Sequence, residues 1–333
     1  MRQVGSTKLH LPPLGLGVAH VGGMWGRVPA ATAQATLQAA WDGGIRYFDT
    51  APWYGRGLSE HRLGSFLIDQ PRDSFTITTK VGRVLHRPAD LATFDIAPWP
   101  GGLRLDVEFT YSYDGILRAY EQSLMRLGLD TIDALLIHDP DQIMEGEIFD
   151  QRMRDLEGGG IRALQELKAQ GQIKAIGMGL NTTLSLTTIV PRVPLDFVIV
   201  AMPYTLLDQS ALAAMAAIHD RGTAIIIGAP YASGILVTGP VPGARYRYEA
   251  APPDILAKAA AIKAVCDAHG TALASAALHF LLAHPAVVSV IPGAASADEA
   301  RSILAAFDAV PPAGLWADLK AEGLIEAASP VPQ

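Results

Sequence analysis

Short, nearly continuous apolar runs recur along the chain at 14–18 (LGLGV), 45–49 (IRYFD), 75–80 (FTITTK), 132–138 (IDALLIH), 173–178 (IKAIGM), 196–200 (DFVIV), 223–228 (TAIIIG) and 287–291 (VVSVI). Runs of this kind suit strands covered on both faces, as in a parallel sheet. Between them the apolar positions fall at helical spacing, over 32–41, 114–127, 161–170, 209–220, 253–268, 272–283 and 297–309. In the second of these, Ile116, Leu117, Tyr120, Leu124 and Leu127 form one stripe, and Gly128 stops it. Residues 4–11 (VGSTKLHL) predict a short hairpin turning at Gly5-Ser6, ahead of the alternation.

Strand and helix alternating eight times predict a closed (β/α)8 TIM barrel with an N-terminal β-hairpin cap, as a single domain over 1–333. An open doubly wound sheet is the alternative. The excess length falls at 82–112, 139–156 and 229–253, after the third, fourth and seventh strands, and in the tail after Val310. Loops at the C-terminal ends of barrel strands build the site, so these long loops read as substrate walls.

Composition narrows the function. Half the residues are apolar and 18% are charged, which is globular; the net charge of −7 is spread along the chain, which speaks against nucleic acid as a partner. No apolar run reaches the length of a membrane span, and no signal-peptide pattern opens the chain, so the expectation is a cytoplasmic protein without membrane association. The single cysteine, Cys266, lies on an apolar helical face and reads as a buried, inert thiol. The nine histidines have no HExxH or equivalent spacing, so no metal is implied.

Candidate chemistry concentrates at strand ends. Asp49 ends the second strand, Tyr54 follows in its loop, Lys80 ends the third strand and His138 the fourth. In a barrel these ends converge on one mouth. The free pKa of a tyrosine, about 10, is too high for efficient proton exchange near neutrality, and an adjacent ammonium lowers it. Lys80 supplies that charge, Asp49 keeps the lysine charged and oriented, and His138 can hydrogen-bond a reacting oxygen. A second chemistry open to Lys80 is Schiff-base formation in an aldolase.

The stretches YFDTAPWYGRGLSEHRLG, ITTKVGR, DALLIHDPD, AIGMGLN and SVIPGAAS resemble, in order and spacing, the motifs of the aldo-keto reductase superfamily, from about Leu14 to Leu304. The resemblance implies hydride transfer between a nicotinamide cofactor and a carbonyl or alcohol, with Asp49, Tyr54, Lys80 and His138 as the catalytic tetrad. It also brings a non-catalytic, nucleotide-sensing protein into consideration. Cofactor contacts implied by it are Asn181, the stretch Gly228, Ala229, Pro230, Gly234 and Leu236, and the turn Pro292, Gly293, Ala294, Ser296 and Glu299. NADP-using relatives carry a cation in that turn for the 2′-phosphate; here Ala294 and Ala295 are followed by Asp298 and Glu299, which favours NAD over NADP. Gly179 stands where a serine holds the carboxamide in the superfamily, and Ala201 where a glutamine does.

The run FTYSYDGILRAYEQSLMRLGLDTIDALLIHDPD, with PYTLLDQ and PYASGIL, is similar to a narrower group, the bacterial D-threo-aldose or L-fucose 1-dehydrogenases and pyridoxal 4-dehydrogenases. That implies a small-molecule substrate, oxidised at C1 of an aldose to the lactone, and a monomer or weak homo-oligomer. Trp25 and Trp53 read either as stacking surfaces for a sugar ring or as closure of the barrel mouth. Arg83, His86 and Arg87 read either as contacts to substrate hydroxyls or as solvated loop charges.

Overall fold

The computed structural model describes residues 1–333. Eight parallel strands, Leu16–Gly17, Tyr47–Asp49, Thr76–Val81, Ala134–His138, Ala175–Leu180, Phe197–Ala201, Ala224–Gly228 and Val287–Ile291, pair in chain order. Parallel bridges Leu14↔Val290 and Gly17↔Gly293 join the last strand to the first and close the barrel. Closure excludes the open doubly wound sheet.

Each strand stands within two residues of its expected position at either end, because continuous apolar runs admit little else. The hairpin pairs Arg2–Gln3 with His10–Leu11, starting ahead of the expected 4–11, and turns through Gly5 at φ +52°. Val4, Leu9 and Leu11 of the hairpin pack with Tyr47, Leu136 and Phe197 inside the barrel, so the hairpin plugs its N-terminal end. Phe48, Ile77, Leu135, Ile137, Ile176 and Met178 belong instead to the larger cluster between strands and helices. The strands thus alternate inward and outward with period two. Gly177 lies inside opposite Phe197; a Cβ there would come within 2.6 Å of the phenyl ring, so the glycine admits it.

The alternation decides what stands at the mouth. Asp49, Lys80, His138 and Gly179 are the last inward positions of four neighbouring strands. The register pairs Asp49 with Thr78, Lys80 with Leu136, and His138 with Gly179.

The seven expected helices form, with ends shifted by three residues at most, at Ala30–Asp42, Tyr113–Leu127, Ile161–Ala169, Leu212–Asp220, Pro253–Ala268, Leu273–Leu282 and Ala297–Asp308. Others form inside stretches the periodicity left as loop: Leu58–Leu67, Gly146–Asp155 continuing through a π-helical turn at Leu156–Gly160, Thr183–Thr188, Ile235–Thr238 and Ala313–Ala321. The insertion 82–112 folds as an antiparallel pair, Arg83–His86 with Asp106–Phe109. The loop after the seventh strand carries a smaller pair, Arg245–Tyr246 with Glu249–Ala250. No single helix is long and apolar enough to cross a membrane. Cys266 is a free, fully buried thiol whose pKa burial raises to about 11.

Candidate active site

Asp49 and Lys80 meet as a buried ion pair, Nζ to Oδ2 at 2.6 Å, each side chain only 3% exposed. Thr78 donates its hydroxyl to the other Asp49 oxygen at 2.8 Å, and Lys80 also donates to the Thr50 carbonyl at 2.8 Å. An ammonium has three donors, so one is left for Tyr54, whose ring centroid is 4.7 Å from Nζ. The ring of His138 stands edge-on to Tyr54, centroids 5.8 Å apart at 88°. Four side chains from the ends of three neighbouring strands and the loop after one of them therefore share one corner of the mouth.

Burial dominates the electrostatics. It pushes Tyr54 above its ordinary pKa, against the downward pull of Lys80; the Asp49 and Asp139 carboxylates add to the rise. The lysine effect expected from the sequence is present, but in the protein alone burial outweighs it. Burial lowers Lys80, but the Asp49 carboxylate and Tyr54 more than reverse this, so it remains an ammonium. His138 is held well below 6.5 by burial and then by the positive charges of Arg83 and Lys80, and is a neutral imidazole.

Asp139, next to His138 and in the left-handed region at φ +38°, lines the same cavity. Its Oδ2 is 3.2 Å from Arg83 Nη2 and 3.4 Å from His138 Nε2, and its Oδ1 accepts from Asn181 Nδ2 at 3.1 Å. Burial raises its pKa to about 6, with Arg83 opposing. Tyr111 donates to the His138 carbonyl at 2.8 Å and braces this strand end. Gly82, at φ +98°, admits Tyr111: a Cβ there would be 2.4 Å from the ring.

The cavity of about 1070 Å³ runs from this corner across the mouth to the start of helix Ala297–Asp308. Aromatic side chains form its outer wall. Trp99 packs edge-on to Trp53 at 6.1 Å and against Tyr54 at 5.8 Å; Trp25 packs on Tyr248 at 6.1 Å. Asp139, Met202, Ala229, Ser233 and Tyr248 line it with positive φ, five of the chain's eight non-glycine residues in that region. Backbone strain thus gathers at the cavity.

A sequence profile described as the Aldo/keto reductase family matches residues 13–321. The chain belongs to this family. It is an oxidoreductase. Among curated relatives, it is 37% identical to pyridoxal 4-dehydrogenase of Microbacterium luteolum, with 97% of each chain covered. It is 38% identical to D-threo-aldose 1-dehydrogenase of a Pseudomonas species, with 95% of each covered. Among solved structures, the holo form of an aldo-keto reductase from Bacillus halodurans superposes with a TM-score of 0.75 at 25% identity, covering 98% of this chain and 96% of that one.

In this aldo/keto reductase the cavity brings together Asp49, Tyr54, Lys80, His138, Asn181, Gly228, Ala229, Pro230, Gly234, Gly293, Glu299, Trp25 and Trp53. Other residues singled out in the sequence lie off it. Leu236 and Ala294 are fully buried in the packing behind the loops. Pro292 passes its carbonyl to Gly17 N in the barrel closure. Ser296 is spent as the N-cap of helix Ala297–Asp308, accepting from Glu299 N. His86 is exposed at the end of its strand, with Nδ1 near the Arg87 carbonyl. Arg83, far from being solvated, is 2% exposed and sandwiched between Trp53 and Phe109, each centroid 5.0 Å from its guanidinium carbon. It reaches the cavity only through Asp139. Trp99, Tyr248, Met24 and Arg245 line the cavity without having been read from the sequence; they sit in long loops whose path no periodicity fixes.

The turn before helix Ala297–Asp308 is self-satisfied. Ala295 N donates to Glu299 Oε2 at 2.8 Å, Ser296 caps Glu299 N, and Arg301 is paired with Asp298 at 2.5 Å. A phosphate brought here would displace a carboxylate from the helix N-terminus and find no free cation.

Proposed function

We propose that this enzyme oxidises an aldose of the D-threo or L-fuco type at C1, taking the cyclic hemiacetal to the lactone, with NAD as the favoured cofactor. The observation that carries the reading is the buried Lys80–Asp49 pair beneath Tyr54 and beside a neutral His138, opening on an aromatic-walled cavity.

The residues present fit a nicotinamide dinucleotide. The cavity is long, Gly228, Ala229, Pro230 and Gly234 offer close backbone approach, and a Cβ at Gly179 would have only Lys80 Cε at 3.8 Å and Asp139 Oδ1 at 3.9 Å near it, so the inner end is open. Asn181, Gly228 to Gly234, Gly293 and Glu299 would hold the cofactor. Glu299 favours ribose hydroxyls over a 2′-phosphate. When bound, the nicotinamide supplies the acceptor for the hydride leaving C1.

The chain supplies the proton chemistry. Tyr54 in its phenolate form, the minor form in the protein alone, takes the proton of the anomeric hydroxyl; Lys80 stabilises that phenolate at close range in a dry site. Asp49 keeps Lys80 charged and aimed. His138, neutral, donates a hydrogen bond to the same oxygen as it becomes a carbonyl. A Schiff base at Lys80 fits poorly, because a nucleophilic amine must be neutral and Lys80 is held as an ammonium.

Pyridoxal is the second reading, favoured by the Microbacterium luteolum relative and by walls that suit a flat aromatic ring. It closes on its neighbouring hydroxymethyl group to a hemiacetal, so both substrates present the same function to Tyr54. Parallel assays of L-fucose, L-galactose, D-arabinose and pyridoxal, with NAD and NADP, test the reading: a sugar with NAD is expected to give the highest kcat/KM. Aldehyde reduction with NADPH alone would overturn it. The proposal includes a cytoplasmic location and a monomer or weak homo-oligomer, which sizing of the purified protein tests.

A further inference from the structure

The fourth strand ends in two polar residues, and the reaction uses only the first. Asp139 follows His138, and its carboxylate is 21% exposed, between cavity and interior. It joins three strand ends: Arg83 from the loop after the third, His138 at the end of the fourth, and Asn181 from the loop after the fifth. A left-handed backbone turns it back toward the mouth, with its N–H donating to Gly179 O at 3.3 Å. Arg83 in turn is fixed by its two aromatic neighbours and by Gln142 Oε1 at 3.3 Å.

Two ambiguities of hydrogen bonding are resolved by this one carboxylate. His138 Nδ1 is buried with no partner, so a proton placed there would be stranded, whereas Nε2 has the Asp139 carboxylate 3.4 Å away, not aligned as a hydrogen bond, whose charge favours a proton on that nitrogen and leaves the N–H to the reacting oxygen. A neutral imidazole carries one N–H; Asp139 therefore selects the tautomer that has its donor at Nε2. Asn181 has two interchangeable ends. A carboxylate only accepts, so the end facing Asp139 must be the N–H2, and the carbonyl Oδ1 is left as the free end of an amide that lines the cavity.

We infer that Asp139, held by Arg83, is a positioning residue that makes His138 a donor at Nε2 and Asn181 an acceptor toward the cofactor's carboxamide. The inference rests on the oxidoreductase reading above for its consequence, and for its content on the Asn181 hydrogen bond and the nearness of the carboxylate to His138 Nε2. It gives a reason for the open space at Gly179: with Asn181 oriented from below by Asp139, the amide needs no serine neighbour to hold it.

The two roles separate by substitution. In Asp139→Asn the amide keeps its oxygen toward Arg83 and His138 and turns its N–H2 on Asn181, which must flip and show N–H2 to the cavity. The expected result is NADH affinity weakened by about tenfold, read from fluorescence energy transfer from the cavity tryptophans, with the His138 tautomer retained. The exchange Asp139→Asn with Asn181→Asp restores an acceptor on both sides and is expected to recover most of that affinity. Asp139→Ala removes both constraints, and ¹⁵N NMR of the protein without cofactor is expected to show His138, identified by the signals missing in His138→Asn, changing from the pure Nε2–H form to a mixture. Unchanged NADH affinity in Asp139→Asn, no recovery in the exchange, or an unaltered tautomer in Asp139→Ala would each overturn the inference. If the wild type binds NADH yet oxidises no hemiacetal, the substrate reading fails and the positioning results stand. If it binds no NADH, the cofactor reading fails and the NMR comparison still decides the histidine part.

Discussion

Tyr54 is the residue to which the proposed chemistry assigns the proton transfer, and its surroundings set what its loss does. Removing the hydroxyl in Tyr54→Phe leaves ring packing against Trp99 and His138 intact, so the thermal midpoint should stay within a few degrees while kcat falls by about 10³-fold. Lys80→Met acts differently: it strands Asp49, which is 2% exposed, and should cost about 3–5 kcal/mol in urea unfolding as well as activity. The double variant with Asp49→Asn should regain part of that stability and none of the activity, which a double-mutant cycle reads directly. Asp49, Lys80 and His138 were legible in the sequence because each sits at a strand end that an apolar run fixes, and Tyr54 because it follows one of those ends by five residues. Arg83 was not: its loop position suggests solvent, and only the strand pair Arg83–His86 with Asp106–Phe109 buries it. The pKa of Tyr54 was legible in one cause and not in the other, because the degree of burial is a property of loops folded over the mouth.

At the scale of elements, the proposed preference for NAD rests on the turn into helix Ala297–Asp308. Glu299 ties back to Ala295 N, and its side chain lines the cavity. Glu299→Lys should move the ratio of kcat/KM toward NADP by about tenfold or more, as measured with both cofactors under one buffer. The acidic turn and the helix start at Ala297 were readable from the sequence; that Ser296 and Glu299 satisfy its N–H groups was not, since both bonds depend on side-chain conformation. Helix Leu273–Leu282 and the strand after it are linked through His284, whose Nδ1 accepts from Ala286 N at 3.2 Å. Burial lowers this histidine to about 4. Between pH 4 and 6.5 the unfolded chain binds a proton there that the native state does not, so stability falls as pH drops below 6.5. His284→Asn, which keeps an acceptor and does not titrate, should flatten that slope in urea midpoints measured from pH 6.5 down to 5. The helix Leu58–Leu67 escaped the periodicity because Ser59, Glu60 and Gly64 interrupt its apolar face. Glu60 is nevertheless fully buried, paired with Arg126 at 2.6 Å, a partner distant in sequence.

The whole molecule is a barrel whose interior is divided by function along its axis. The hairpin and a layer of aliphatic and aromatic side chains fill the lower part, and the last inward positions of three strands carry polar groups while that of a fourth is Gly179. The fold was legible because eight alternations leave few architectures open. The loop walls were legible only as length, since insertions such as 229–253 choose their path by contacts with other loops, as Tyr248 does with Trp25. A ligand that fills the mouth should stabilise the native state by mass action, so saturating NADH should raise the thermal midpoint, and more than NADPH does at equal concentration. The most direct test of the account is the near-ultraviolet absorbance of reduced nicotinamide during incubation of the enzyme with NAD and L-fucose, beside Tyr54→Phe. The account predicts steady formation of NADH by the wild type and almost none by the variant. Equal rates in the two proteins would contradict the role of Tyr54, and with it the chemistry assigned to this mouth.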